Sequence, residues 1–259
     1  MQLKKLIEGE VSKFTGEASI VVKDLNMDWE ISLNKDKAFP SASLAKVPIM
    51  TAVFKAAGEG RINLNNTLQL KGSQKVNGSG VLKQMPAGSE LSVARLVEYM
   101  IIESDNTAAN ILINLLGMDY LNDFFKEAGL KRTNLSRKMM DFRFRRNGIE
   151  NYTTSEDLAY LLEEVYRGRI INKNVSRRCL EILKRQNIND RIPAKLPANV
   201  IVAHKTGLER NVCHDAGIVF TGKGNFLICI LTKNADRRKT AKDFIANISL
   251  YTYDYYQGL

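Results

Sequence analysis

Cysteine, proline, histidine and tryptophan are all scarce in this chain: of 259 residues, three are Cys, five Pro, two His and one Trp. The cysteines, Cys179, Cys213 and Cys229, are odd in number and have no metal-ligand spacing. That excludes a disulfide scaffold and a Cys-based metal site, and leaves buried free thiols. With five prolines, no internal repeat and no low-complexity linker, there is no natural place to divide the chain, so a single unit over residues 1–259 is expected. No apolar run approaches the about 20 residues needed to cross a bilayer. The longest, such as Phe226 to Leu231, have strand length. Negative charge is the scarcer sign: 28 Asp and Glu stand against 38 Lys and Arg, for a net charge of +10. That balance suits a polyanion partner, and equally an enzyme whose substrate is a small carboxylate. What remains is ordinary for a globular protein, 44% hydrophobic and 25% charged, which excludes a disordered chain.

The N-terminus, Met1 to Gly16, has lysines but no apolar core of a signal peptide. Its apolar residues Leu3, Leu6, Ile7, Val11 and Phe14 have helical spacing and predict an amphipathic helix. With Met1 as the native start, a cytoplasmic protein is expected. A leader trimmed from this chain would instead make it secreted or periplasmic. Next come two strand-like runs, Ala18 to Lys23 and Trp29 to Leu33, with a turn at Asn26–Asp28. From Ser43 to about Val165 the pattern is helical, with helices predicted over Leu91–Ile102, Asn106–Leu116, Met118–Ala128 and Thr154–Tyr166. A further helix is predicted over Ser176–Gln186. Strand character returns at Val200–Lys205, Ala216–Thr221 and Phe226–Thr232, and a last helix runs from about Arg237 toward Tyr255. Strands at both ends and helices between predict an α/β (α+β) fold. One antiparallel sheet is built from both termini (about 1–40 and 196–259) and flanked by helices, and an all-helical lobe (about 41–195) is inserted.

Three short stretches carry reactive side chains. In Ser43-Leu44-Ala45-Lys46 the i, i+3 spacing on a helix brings an amine to a hydroxyl. A lysine whose pKa is lowered by burial can take the serine proton and make a nucleophile. Pro48 is tolerable only near a helix start, which places Ser43 at the N-terminal end. Taken alone, Ser43 is as well explained as a helix cap. A second copy, Ser32 to Lys35, lies in a strand, where alternation puts the two side chains on opposite faces. Ser104-Asp105-Asn106 precedes an apolar helical run and has its own ordinary reading as a cap. Lys205-Thr206-Gly207 ends a predicted strand, where a lysine and a hydroxyl could hold a carboxylate and the glycine would admit a ligand backbone.

S-x-x-K, S-D-N and K-T-G in this order are together the signature of class A β-lactamases and penicillin-binding proteins. The sequence resembles that family over nearly its whole length. Phe39-Pro40 looks like the family's lead-in to the nucleophile, Ile101 to Ile111 (IIESDNTAANI) is very similar to its helix segment, and Gly78 to Leu91 resembles the loop before it. The resemblance implies a β-lactamase/transpeptidase-like fold and a serine hydrolase that works through an acyl-enzyme. It implies Ser43 as nucleophile, Lys46 as its base, and Ser104 as proton donor to the leaving nitrogen. Asn106 would hold the acyl-amide side chain, and Lys205 with Thr206 would hold the substrate carboxylate. The oxyanion hole would be the backbone N–H groups of Ser43 and of Leu208, just past Gly207. No metal and no cofactor is required. His204 alternates with Lys205 and should face away from the site. Both it and His214 are read as structural.

One family element is missing. Class A enzymes carry Glu-x-x-x-Asn on a loop between the second and third motifs, and that Glu is the deacylation base. The matching stretch, RKMMDFRFRRNGIENYT from Arg137 to Thr153, has no such element, and the Glu position falls near Met139. Asp141 is the nearest acid and the candidate replacement base, while Glu150 is placed to pair with Arg137 and close the loop. The loop's arginines, Arg143, Arg145 and Arg146 among them, are read as a solvated face. The expected substrate is a β-lactam or a related carboxylate-bearing amide or ester. Alternatives are a D,D-peptidase or esterase on the same machinery, or a penicillin-binding domain that deacylates slowly. A nucleic-acid-binding protein on a dead hydrolase scaffold would show steep salt dependence and is not expected. Neither a membrane partner nor an oligomer is expected.

Overall fold

The computed structural model describes residues 2–27 and 29–258. Helix α1 (Gln2–Lys13) leads into strands β1 (Glu17–Asp24), β2 (Glu30–Leu33) and β3 (Phe39–Pro40). Met1, and Asp28 of the expected Asn26–Asp28 turn, lie outside the described residues. The inserted lobe contains α2 (Lys46–Gly58), β4 (Thr67–Gln69), β5 (Glu90–Ser92), α3 (Val93–Ile102), α4 (Asn106–Leu116), α5 (Met118–Glu127), α6 (Phe142–Arg146), β6 (Tyr152–Thr153), α7 (Ser155–Tyr166) and α8 (Lys173–Leu183). The chain then returns through β7 (Ile201–Leu208), β8 (Val212–Thr221) and β9 (Gly224–Lys233) and closes with α9 (Arg238–Gln257). The five long strands form one antiparallel sheet in the order β2-β1-β9-β8-β7.

The inner strands read as continuous apolar runs because both faces are covered. Val21, Ala216, Ile218, Leu227, Cys229 and Leu231 point into the core shared with the helical lobe. Their neighbours Ile20, Val22, Val219, Phe226, Ile228 and Ile230 point into a second core under α1 and α9, as the period of two requires. Leu3 and Ile7 of α1 are buried there, and Phe14 stacks on Phe244 of α9 with ring centroids 4.2 Å apart. All three cysteines are buried free thiols. At the centre of the helical lobe, α2 is buried from Lys46 to Phe54, the signature of a helix surrounded by others.

Expected boundaries shift in four elements, for identifiable reasons. Ser43 lies in a 3₁₀ turn, Ala42–Ala45, that leads into α2, and Pro48 falls in the first turn of α2 itself. Leu91 and Ser92 leave the expected helix and, with Glu90, pair with β4, and α3 then starts behind the Ser92 cap, whose side chain accepts from Arg95 N. Helix α8 begins earlier than expected because Asn172 caps it. Gln186 is turned back to donate to Ile101 O at 2.8 Å instead of extending that helix. Finally, β7 continues through Leu208 paired with Cys213, so Lys205-Thr206-Gly207 lies within the strand and not at its end. As the last strand in the order, β7 has one edge unpaired by the sheet, beside the Ser43 turn. Among the described residues, no helix is long and apolar enough to cross a membrane.

Candidate active site

Ser43, Lys46, Ser104, Asn106 and Lys205 meet at the junction of the sheet and the helical lobe. The 3₁₀ turn and the first residue of α2 put Lys46 Nζ 3.0 Å from Ser43 Oγ. The same amine donates to Ser104 O at 2.6 Å and to Asn106 Oδ1 at 2.8 Å, and lies 3.3 Å from Ser104 Oγ. From the other side, Lys205 Nζ reaches Ser104 Oγ at 2.9 Å and Thr206 O at 2.9 Å. The Ser104 hydroxyl therefore sits between two buried amines.

The segments that hold these groups are constrained. Ala42 and Ser104 both have positive φ (45° and 52°) without being glycine, strain of the kind that persists where surrounding contacts enforce it. Asp105 caps α4, accepting from Ala108 N at 2.8 Å through Oδ1, and accepts from Leu82 N at 2.8 Å through Oδ2. The Gly78–Gly80 segment closes over this triplet: a Cβ on Gly80 would stand 2.2 Å from the Asp105 carboxylate, and one on Gly78 2.6 Å from Asn106 Nδ2. On β7, a Cβ at Gly207 would come within 3.3 Å of Leu44 and 3.2 Å of His214. Glycine there lets the strand backbone lie against the turn that carries Ser43.

Burial sets the protonation of the two lysines. Lys46 is completely enclosed, and loss of water pushes its pKa down to about 7, against the pull of Asp105 and Glu209. Lys205 is equally enclosed and is pushed well below the usual lysine range, by burial first and then by the Lys46 charge. A neutral Lys46 has two N–H groups and one lone pair. Ser104 O and Asn106 Oδ1 can only accept, so they take the two N–H groups and leave the lone pair for the Ser43 O–H.

Ser43, Asn106 and Leu208 line a cavity of about 630 Å³. Met139 and Met140 also line it. Asn110 holds Met139 by both backbone groups, accepting from its N at 2.8 Å and donating to its O at 3.0 Å. Asp141 is not brought to this site. It sits at the N-terminus of α6, its carboxylate accepting from Phe144 N at 3.4 Å, because the chain turns into that short helix immediately after it.

The loop is closed as Glu150 suggested, with a partner the sequence did not reveal. Arg137 Nε donates to Glu150 Oε1 at 2.8 Å and Nη2 reaches Glu209 Oε1 at 3.1 Å. Arg145 Nη1 reaches Glu209 Oε2 at 2.7 Å. Glu209, next to Leu208, thus ties the loop to β7. His204 is turned away from the cavity toward Asp215 (2.9 Å) and Asn189 (3.1 Å).

Residues 2–256 match the family model described as "Beta-lactamase enzyme family". The chain belongs to the beta-lactamase enzyme family. The family and fold make it a serine beta-lactamase-like hydrolase. It is 22% identical to Beta-lactamase VEB-1 of Pseudomonas aeruginosa, over 96% of this chain and 89% of that one. The beta-lactamase of Sphaerobacter thermophilus superposes with a TM-score of 0.90 at 27% identity, covering 99% of this chain and 97% of the other. PBP-A superposes with a TM-score of 0.91 at 30% identity, covering 100% and 97%. A leucine-to-glutamate variant of PBP-A, an acyl-enzyme complex with penicillin G, matches at the same values.

Proposed function

We propose that Ser43 is acylated by β-lactams, or by related amides and esters that carry a carboxylate, and that this beta-lactamase relative releases its acyl group slowly. The observation that carries the reading is the Lys46 amine, 3.0 Å from Ser43 Oγ. Both of its N–H groups are engaged by acceptors, and its pKa is lowered to about 7.

In the first half-reaction Lys46 takes the Ser43 proton as Oγ attacks the substrate carbonyl. Negative charge develops on the carbonyl oxygen and is held by the backbone N–H groups of Ser43 and Leu208; such donors are worth about 3 kcal/mol each in other enzymes. The C–N bond then breaks. The Ser104 hydroxyl gives its proton to the leaving nitrogen and is resupplied from Lys46, so proton and electron pair both balance. Lys205 and Thr206 hold the substrate carboxylate, whose charge favours a protonated Lys205. Asn106 positions the acyl amide.

In the second half-reaction water must attack the ester. The family position for the activating carboxylate falls near Met139, and the Arg137–Thr153 stretch has no Glu-x-x-x-Asn element. Among the described residues, the one carboxylate that lines the cavity, Glu209, is engaged by Arg137 and Arg145. A D,D-peptidase or esterase with a slow second step is the alternative that the thioether at position 139 favours.

Intact-protein mass spectrometry over a time course with benzylpenicillin and a cephalosporin tests the proposal. The expected result is a persistent adduct that Ser43→Ala does not form. Rapid drug loss without a lasting adduct would overturn slow release, and no adduct would overturn Ser43 acylation by β-lactams. Turnover of a D-Ala-D-Ala peptide or a thioester would favour the alternative.

A further inference from the structure

The active-site cavity has two chemically different linings. Met139, Met140 and Phe142 give it an apolar wall, and Arg145, Arg146, Arg210 and Arg238 give it a cationic rim. The acid among its lining residues, Glu209, is engaged by Arg137 and Arg145. Arg146, Arg210 and Arg238 have no carboxylate within ion-pair distance among the described residues, and each is exposed. They come from three separate elements: the end of α6, the β7–β8 connection and the start of α9. A smaller cavity of about 240 Å³ shares Arg210, Asn211 and Arg238 with the active site and adds Arg237 and one acid, Asp236, so basic side chains still outnumber acidic ones past the mouth.

Like charges gathered round one cavity repel one another, and an anion among them removes that cost. A guanidinium also presents a planar fork that matches a carboxylate. Lys205 cannot serve this rim, because it is fully buried beside Ser104.

We propose that the acyl donor carries a second anion, a carboxylate at the far end of an apolar acyl side chain, which Arg146, Arg210 and Arg238 bind at the cavity rim. The proposal rests on acylation at Ser43. It adds a specificity determinant on the acyl side, distinct from the carboxylate held by Lys205. The apolar wall of Met139, Met140 and Phe142 takes the methylene chain, and the arginines take its charged end.

Two penicillins with the same six-carbon side chain, hexanoyl and adipoyl, differ by one terminal carboxylate and test the proposal directly. The rate of Ser43 adduct formation is followed for each by intact mass. Several exposed charge pairs of ordinary strength sum to about a tenfold advantage for the adipoyl compound at low ionic strength. The advantage should shrink in about 0.5 M salt, where screening is short-ranged. The monomethyl ester of the adipoyl compound should behave like the hexanoyl one. Arg210→Ala combined with Arg238→Ala should bring the adipoyl-to-hexanoyl ratio toward one, and the corresponding lysine replacements should keep part of it. If the double variant folds poorly, the single variants Arg146→Gln, Arg210→Gln and Arg238→Gln, all at exposed positions, decide the matter, because the salt series also reports the net charge of +10. Equal rates for the two compounds, with both adducts forming at Ser43, would overturn the second-anion site and leave the acylation reading intact. No adduct from either compound would overturn both.

Discussion

Lys46 reaches Ser43 Oγ, Ser104 O and Asn106 Oδ1 from a position with no exposure to water. Burial is the main reason its pKa falls to about 7, because an enclosed ammonium loses hydration that the neutral amine does not need. Only the neutral amine can accept the serine proton. The acylation rate should therefore rise about tenfold per pH unit below about 7 and level off above it. Progress curves of adduct formation from pH 5.5 to 8.5 would measure this. A flat profile would remove Lys46 as the base. On the alkaline side KM for a carboxylate substrate should rise, because Lys205 is pushed down by the same burial and by Lys46. Lys46→Arg should slow acylation by at least about a hundredfold at every pH, since a guanidinium stays protonated.

The loop from Arg137 to Glu150 lacks the Glu-x-x-x-Asn element that the family resemblance implies. Asn110, on the same face of α4 as Asn106, holds Met139 by both backbone groups, so position 139 is fixed even though its side chain has no acid–base capacity. Met139→Glu should shorten the lifetime of a penicillin adduct by about tenfold or more, short of the about hundredfold or greater that a fully positioned base contributes. The decay of the adduct mass after removal of free drug is the readout. The effect should stay below that of a complete family loop, because Arg143 stands four residues on, where the family has Asn. The clasp of the same loop can be tested separately. Arg137 and Glu150 are both buried, so Arg137→Ala leaves a carboxylate enclosed without its main partner and should cost about 3 to 5 kcal/mol in denaturant unfolding. Replacing both by apolar residues, Arg137→Met with Glu150→Leu, should recover most of that loss. A double variant as unstable as the single one would show that the clasp is not the source.

At the scale of the whole molecule, His214 ties the sheet to the chain that enters the helical lobe. Its Nε2 donates to Pro40 O at 2.8 Å and its Nδ1 accepts from Thr232 N at 3.0 Å. Burial holds it neutral and pushes its pKa down to about 4. Between about 4 and 6.5 the unfolded chain takes up a proton that the folded chain refuses. Stability is therefore fully present above 6.5 and falls as pH drops across that window, by up to roughly 3 kcal/mol. Denaturation midpoints at pH 7 and pH 4.5 should differ less in His214→Gln than in the wild type, with the surface carboxylates contributing equally to both. An unchanged difference would remove His214 as the acid-sensitive group.

Much of this molecule was legible one segment at a time. The apolar runs of β1, β8 and β9, the Thr154 cap of α7, the extent of α4 and the three reactive triplets are each written within a few residues, because helix caps, apolar runs and i, i+3 spacing are local properties. Glu150 could be matched to Arg137 because both lie at the ends of one loop. What only the tertiary structure decided involves partners far apart in the chain. Lys46 and Lys205 approach Ser104 from opposite sides, Glu209 joins the loop to β7, Asn110 holds Met139, and arginines from three elements meet at one rim. The polar Asn110 inside the apolar run of α4 was the one available hint. Asp141 looked suitable by sequence proximity alone, but the start of α6 turned it to a capping role. Local spacing determines which groups share a face. The closing of the sheet against the helical lobe determines which of those faces meet, and so which lysines are cut off from water.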